Sequence, residues 1–363
     1  MKRIIAGTVA VLLAAVLFLP QRVSALSARK AYVLDAVSGR VLCERNADQR
    51  SLIASTTKIM TALVVAEQCN VLDRMRIPKE AVGIEGSSMY LREGEILTIQ
   101  ELLYGLMLSS GNDAAVALAI YCGGTVEEFV QRMNDKAHVL GLQNTHFENP
   151  NGLDAPGHYS TARDLAVLAA YAMENPVFYK TVSAKTVRVG ERYLQNHNKL
   201  LWRVEGADGV KTGYTQAAGR ALVSSATRQG RRIIAVTLDD PADWSDHCAF
   251  YEQGFSRYAV KTVVTKGQYL GKLEVAGGEE AYVEILAAED CAYALAEEET
   301  VQLALPGPGF VYAPVAEGGD AGYCYVLLQG NAVAKVAAVY GRTIEKQPEA
   351  EKKGFWSRLF GGN

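Results

Sequence analysis

Ser55 and Lys58 stand three positions apart at the mouth of an apolar run, Ala54-Ser55-Thr56-Thr57-Lys58-Ile59-Met60-Thr61-Ala62-Leu63-Val64. On a helix, positions i and i+3 share a face, so the lysine amine reaches the serine hydroxyl. A serine alcohol is a poor nucleophile near neutral pH unless a base lies beside it. Lysine serves as that base once burial or a second cation removes its proton. By itself the pair is weak, because many helices carry it by chance. Two further groups follow in order along the chain, Ser110-Gly111-Asn112 and Lys211-Thr212-Gly213. Lys211 and Thr212 offer a cation and a hydroxyl, a match for a carboxylate. Gly213 lets a ligand backbone approach closely.

These residues must be held by regular elements. Residues 31–35 and 40–44 read as two strands around the turn 36–39, feeding a helix from Ser55 to about Gln68. Residues 84–100, with Gly86 and Gly94 among polar neighbours, predict an irregular surface connection. Thr98 and Glu101 form a capping box ahead of an apolar helix over 102–108. Ser109 to Asp113 then breaks into a second apolar helix over 114–121, so Ser110 and Asn112 must be hydrogen-bonded or face a cleft. An amphipathic helix over 125–140 follows, then a turn at 149–153. A helix over 164–173 is capped by Ser160 or Thr161. Strand is expected over 188–193 and a polar corner at 196–198. Residues 209–215 read as a strand end, 221–226 and 232–238 as central sheet strands, and 244–258 as a closing helix. Asp243, Asp246 and His247 are expected in a solvated loop.

The chain has 363 residues, about two domains' worth, with 49% hydrophobic and 21% charged residues. Its net charge of -3 gives no reason to expect nucleic acid as a partner. There is no His-Glu-x-x-His and no close His/Cys cluster, so neither a metal nor a cofactor is expected. The six cysteines, 43, 69, 122, 248, 291 and 324, are widely spaced and read as buried free thiols. Lys2-Arg3, the apolar run 4–19 and Val23-Ser24-Ala25 make residues 1–25 a signal peptide, removed after Ala25. The apolar run is shorter than the roughly 20 residues of a spanning helix, against a retained anchor. Residues 26–260 form an α/β domain, and 261–342 a β-rich domain of short strands separated by Gly-, Glu- and Pro-rich turns. That second domain carries no chemistry-bearing cluster and reads as a spacer. Residues 343–363 are a linker and an amphipathic tail. Within it, 352–360 place Phe355, Trp356, Leu359 and Phe360 beside Lys352, Lys353 and Arg358, suited to an anionic membrane surface.

The three motifs match the Ser-x-x-Lys, Ser-Asp-Asn and Lys-Thr-Gly set of penicilloyl-serine transferases, with Gly111 in place of the aspartate. Gly111 in the middle motif narrows the match. With Gly86-Ser87-Ser88-Met89, Phe147-x-Asn149-Pro150-x-Gly152-Leu153, His158-Tyr159-Ser160-Thr161-Ala162 and Asn198-Lys199-Leu200-Leu201-Trp202, the chain resembles the low-molecular-mass penicillin-binding proteins that are serine-type D-alanyl-D-alanine carboxypeptidases. The resemblance covers nearly the whole chain beyond residue 25. Tyr214 departs from it, since several relatives carry histidine there. The resemblance implies a transpeptidase/β-lactamase-like α/β (α+β) domain, with a central antiparallel sheet and a helical subdomain, followed by a small all-β domain. It implies Ser55, Lys58, Ser110 and Asn112 as catalytic residues, and Lys211, Thr212, Gly213 and Tyr214 as substrate-binding residues. Its substrates would be peptidoglycan stem peptides, its covalent inhibitors β-lactam antibiotics, and its place the extracytoplasmic face of the bacterial cell membrane. The rival readings are a DD-endopeptidase or β-lactamase on the same scaffold, and a non-catalytic wall-binding protein.

Overall fold

The computed structural model describes residues 26–348. The signal-peptide expectation for 1–25 and the membrane-tail expectation for 352–360 lie outside the described residues. Among those described, no helix is long and apolar enough to cross a membrane.

The N-terminal half is built on five strands: β1 (Lys30–Asp35), β2 (Val41–Arg45), β3 (Ala207–Thr215), β4 (Gly219–Arg228) and β5 (Arg231–Leu238). They run antiparallel in the order β2-β1-β5-β4-β3. The sheet is therefore closed by joining the two ends of the domain, and β3 is left at an edge. Side chains alternate across a strand, and here both faces are apolar. Ala31, Val33, Leu222, Ile233 and Ala235 pack on helix α7 (Asp243–Arg257) through Phe250 and Tyr251. Tyr32, Val223, Ile234 and Val236 face the opposite way, into the main helical core. Burying both faces is what makes 221–226 and 232–238 read as continuous apolar runs.

The helical core contains α1 (Lys58–Gln68), α2 (Ile99–Leu108), α3 (Asn112–Gly123), α4 (Val126–Val139), α5 (Ala162–Ala172) and α6 (Pro176–Ser183). Every residue of α1 from Lys58 to Val65 is buried. Thr98 and Glu101 form the expected capping box on α2, and Thr161, rather than Ser160, caps α5 by accepting from Asp164 N–H. Helix α6, capped by Asn175 with Pro176 in its first turn, had no expectation. The stretch expected as one strand over 188–193 is a hairpin, Thr186–Val189 with Arg192–Gln195, turned at Gly190 with φ +58°.

The solvated-loop reading of Asp243, Asp246 and His247 is corrected: all three lie buried in the first turns of α7. Asp243 pairs with Arg220 at 2.9 Å, and Asp246 accepts the backbone N–H groups of Ser27 and Ala28. His247 bonds Ser224 and Thr237. Tertiary hydrogen bonds absorb polarity that looks loop-like in a one-dimensional reading. Of the six cysteines, expected to be buried, only Cys324 is, the other five being half-buried.

Beyond α7, Tyr258–Val264 pairs with Cys291–Ala296. A six-stranded sheet follows in the order Val301–Ala304, Asp320–Leu328, Asn331–Tyr340, Tyr282–Ala287, Tyr269–Ala276, Phe310–Tyr312. Arg40, in the β1–β2 turn, reaches across to this half. Its guanidinium makes a two-pronged pair with Glu299, donates to Ala294 O and lies over the Tyr258 ring.

Candidate active site

Ser55 sits on a single 3-10 turn, Ala54–Thr57, that runs directly into α1. In a 3-10 turn, side chains at i and i+3 eclipse, so Ser55 and Lys58 stand in line more directly than on an α-helix. The turn starts from Ala54 at φ +45°, an unfavourable region for a residue with a Cβ. Two neighbours hold it. Thr57 Oγ1 donates to Ala54 O at 2.8 Å and meets His158 Nε2 at 2.7 Å. His158 Nδ1 accepts from Glu148 N–H, so the proton must sit on Nε2 and point at Thr57. Burial keeps this histidine neutral, its pKa lowered to about 4.

Lys58 is fully buried. Its Nζ is 3.0 Å from Ser55 Oγ, 2.6 Å from Asn112 Oδ1 and 2.5 Å from Asn151 O. Asn112 is oriented by its own amide, which donates to Glu85 O at 2.6 Å and so turns its oxygen to Lys58. Burial first, then the charge of Lys211, holds the Lys58 pKa well below the usual lysine range. A neutral amine has two protons and one lone pair. Asn112 Oδ1 and Asn151 O can only accept, so they take the two protons. The lone pair is left facing the Ser55 hydroxyl.

The second wall comes from β3, which packs against the Ala54–Thr57 turn. A Cβ placed on Gly213 would lie 3.2 Å from both Ser55 N and Thr56 N. Glycine leaves room there for the backbone of the turn that bears Ser55, where the sequence reading assigned that room to a ligand. Asn198 helps fix the strand, donating to Gly209 O at 2.7 Å.

Ser55, Ser110, Thr212, Gly213 and Tyr214 line one cleft of about 320 Å³. Ser110 reaches it from the α2–α3 junction with φ +59°. Asp113, the next acidic residue, accepts from Met89 N–H, Leu91 N–H and Ser88 Oγ, and so ties the 86–91 segment to that junction. Lys211 is placed differently from its neighbours. It is buried beneath the cleft, its Nζ donating to Thr212 O at 2.8 Å, and burial lowers its pKa to about 7. The cleft also takes His197, Lys199, Arg220, Asp243 and Trp244, none of which the motifs single out. Of these, Lys199 lay within a stretch the resemblance marked, as did Ser87, which also lines the cleft. A larger hollow lies at the junction with the β-rich half, lined by Arg228, Phe255 and Tyr258.

A buried amine aimed at a serine, in a cleft closed by a Lys-Thr-Gly strand, is the chemistry of an acyl-transfer site. The sequence profile of the D-alanyl-D-alanine carboxypeptidases matches residues 19–242. The chain belongs to the D-alanyl-D-alanine carboxypeptidase family. A second profile, the C-terminal domain of penicillin-binding protein 5, matches residues 258–346. Among relatives, D-alanyl-D-alanine carboxypeptidase DacF of Bacillus subtilis (strain 168) is 32% identical over 328 residues, covering 85% of this chain and 83% of its own. D-alanyl-D-alanine carboxypeptidase DacC of Escherichia coli (strain K12) is 40% identical over 231 residues, 60% of this chain and 58% of its own. Among solved structures, penicillin-binding protein 5 of Haemophilus influenzae superposes with a TM-score of 0.78 at 30% identity, over 90% of this chain and 99% of that one. The Streptomyces K15 DD-transpeptidase gives 0.62 at 37% identity, over 64% of this chain and 98% of that one. As a D-alanyl-D-alanine carboxypeptidase, the chain is a serine-type hydrolase with a transpeptidase-like catalytic domain and a C-terminal all-β domain. Its family acts on peptidoglycan peptides and binds β-lactams.

Proposed function

We propose that Ser55 attacks the carbonyl between the last two D-alanines of a stem peptide, and that the neutral amine of Lys58 takes its proton. The observation that carries this is the placement of Lys58 Nζ between Ser55 Oγ and two carbonyl acceptors. The backbone N–H groups of Ser55 and Tyr214 stabilise the oxyanion, an effect worth on the order of 100-fold or more in rate per donor. Ser110 passes a proton to the leaving D-alanine nitrogen, and Asn112 keeps Lys58 aligned while it does so. The Thr212 hydroxyl meets the substrate carboxylate, with the Lys211 charge beneath it. Bringing that anion next to Lys211 favours its protonated form. Water then releases the acyl-enzyme. A β-lactam presents a similar carboxylate and a strained amide, so it acylates Ser55 and leaves slowly.

The test is covalent labelling by a fluorescent penicillin. Wild-type protein should carry one long-lived adduct on Ser55, and Ser55→Ala should carry none. Equal labelling of the variant would remove Ser55 from this role.

We further place the catalytic domain at 26–260, the β-rich domain at 261–342 and the exported protein on the outer face of the cell membrane. Lys2-Arg3 with the apolar run 4–19 supports export, and the cationic, aromatic 352–360 supports peripheral contact with anionic lipid. Sedimentation with anionic vesicles should drop when residues 352–363 are deleted. Equal sedimentation of the truncated chain would exclude the tail.

A further inference from the structure

Alternation along β3 and β4 sorts their side chains between two faces. Lys211 and its cross-strand partner Val223 face the helical core, into which Val223 packs. Thr212 and Tyr214 face the other way with their partners Leu222 and Arg220, towards α7, where Leu222 packs. Arg220 is thus the diagonal neighbour of Thr212 on one face, a separation of about 7–8 Å that a long side chain spans. Both residues line the cleft that holds Ser55. Lys211 stands beneath that cleft, buried and bonded to Thr212 O. The cation open to the cleft beside Thr212 is therefore Arg220, whose side chain is 41% exposed.

We propose that Arg220 takes the terminal carboxylate of the substrate together with the Thr212 hydroxyl, and that Asp243 is the positioning residue that holds Arg220 for this. The proposal rests on the Ser55 acyl-enzyme reading above and adds the group that recognises the chain end. Asp243 accepts from Arg220 Nε at 3.1 Å and from Nη2 at 2.9 Å, which fixes one edge of the guanidinium. The Asp243 side chain is 3% exposed, and its Oδ1 also accepts from Trp244 N–H at 2.8 Å, so the carboxylate is tied to the first turn of α7. The Trp244 ring lies 5.7 Å from the guanidinium carbon and backs the same group. Among the described residues, Arg220 Nη1 has no hydrogen-bond partner. With the second N–H of Nη2 it makes the outer edge of the fork, whose parallel N–H groups match a carboxylate at two points. Arg220 and Asp243 are neutral as a pair, so Lys211 beneath supplies charge while Arg220 supplies directed donors. A lysine in its place would keep the charge and lose the fork.

The test compares two acyl donors that share one acyl group. One is a diacyl tripeptide ending in D-Ala-D-Ala; the other is the phenyl ester at its penultimate D-alanine, whose leaving group carries no carboxylate. In Arg220→Gln the ratio of kcat/KM on the peptide to that on the ester should fall on the order of 30-fold, and in Arg220→Lys on the order of tenfold. Asp243→Asn should raise KM for the peptide several-fold more than it lowers kcat. Because Arg220→Gln leaves a buried carboxylate without its cation, the double variant Arg220→Gln/Asp243→Asn is measured beside it and should show the same fall in ratio with its urea midpoint restored. An unchanged ratio in the Arg220 variants, an equal loss on peptide and ester, or a fall in Lys199→Met in their stead would overturn the proposal and leave the Ser55 acyl-enzyme standing. A wild-type chain that turns over neither donor and takes no penicillin on Ser55 would overturn the acyl-enzyme reading, and this proposal with it.

Discussion

Lys58 and Lys211 are both removed from water, and each is a weaker holder of its proton for it. In the proposed mechanism that is what lets Lys58 act as a base for Ser55, and it has a cost visible in folding. Unfolded, both side chains titrate near the ordinary lysine value of 10.5, whereas folded Lys211 titrates at about 7. Between those values the unfolded chain binds protons that the folded chain does not, so stability rises with pH. Each such group contributes at most about 1.4 kcal/mol per pH unit. The thiols titrate higher and, apart from Cys122, are raised by the fold, which works in the opposite sense above pH 8. The clean window is therefore pH 7 to 8. Urea midpoints should rise across it in wild type and rise less in Lys211→Met. An identical slope in the variant would mean that Lys211 keeps its proton in the fold.

At the scale of elements, the segment from Phe147 to His158 does more than its turn-like composition implies. It presents Asn151 O to Lys58 and Pro150 O to Thr61, and its His158 steadies the turn that bears Ser55. Gly152 is where it passes closest. A Cβ there would sit 2.0 Å from Ala54 O, and its φ of +86° is itself unfavourable for other residues. Gly152→Ala should push Ala54 and the neighbouring Ser55 out of line. Penicillin acylation is expected to slow about tenfold or more, with a stability loss of about 1–3 kcal/mol. Stopped-flow labelling beside urea unfolding would separate the two effects. A variant that loses stability yet acylates at the wild-type rate would show that the loop supports the fold without setting the nucleophile.

For the molecule as a whole, the two halves are joined through Arg40 and Glu299, both nearly buried and paired at two points. The Arg40 hydrogen bond lowers the Glu299 pKa to about 2. The pair therefore stabilises the junction fully above the ordinary glutamate value near 4.5, and is lost as pH falls from there towards 2. Arg40→Ala would strand a carboxylate with little water and should cost about 3 kcal/mol at neutral pH. Limited proteolysis around Tyr258–Val264 should quicken several-fold, while acylation of Ser55, in a cleft that neither Arg40 nor Glu299 lines, should be unchanged. Unaltered cleavage would mean that the contact does not hold the halves together.

What was legible from residue order alone was local or additive. The Ser55–Lys58 spacing, the Thr98–Glu101 box, the apolar runs of 221–226 and 232–238 and the strand-rich texture after α7 are each set within a few residues by backbone periodicity. The order of three motifs, with the stretches between them, was sufficient to indicate the family. Other features waited on packing. Lys58 is completed by Asn112 and Asn151, 54 and 93 positions away. The burial of Lys211, the entry of Arg220 and Asp243 into the cleft, and the tight fit of Gly213 against the Ser55 turn arise from segments meeting in space. Proton affinity and close approach depend on what surrounds an atom, and only the folded chain assembles those surroundings.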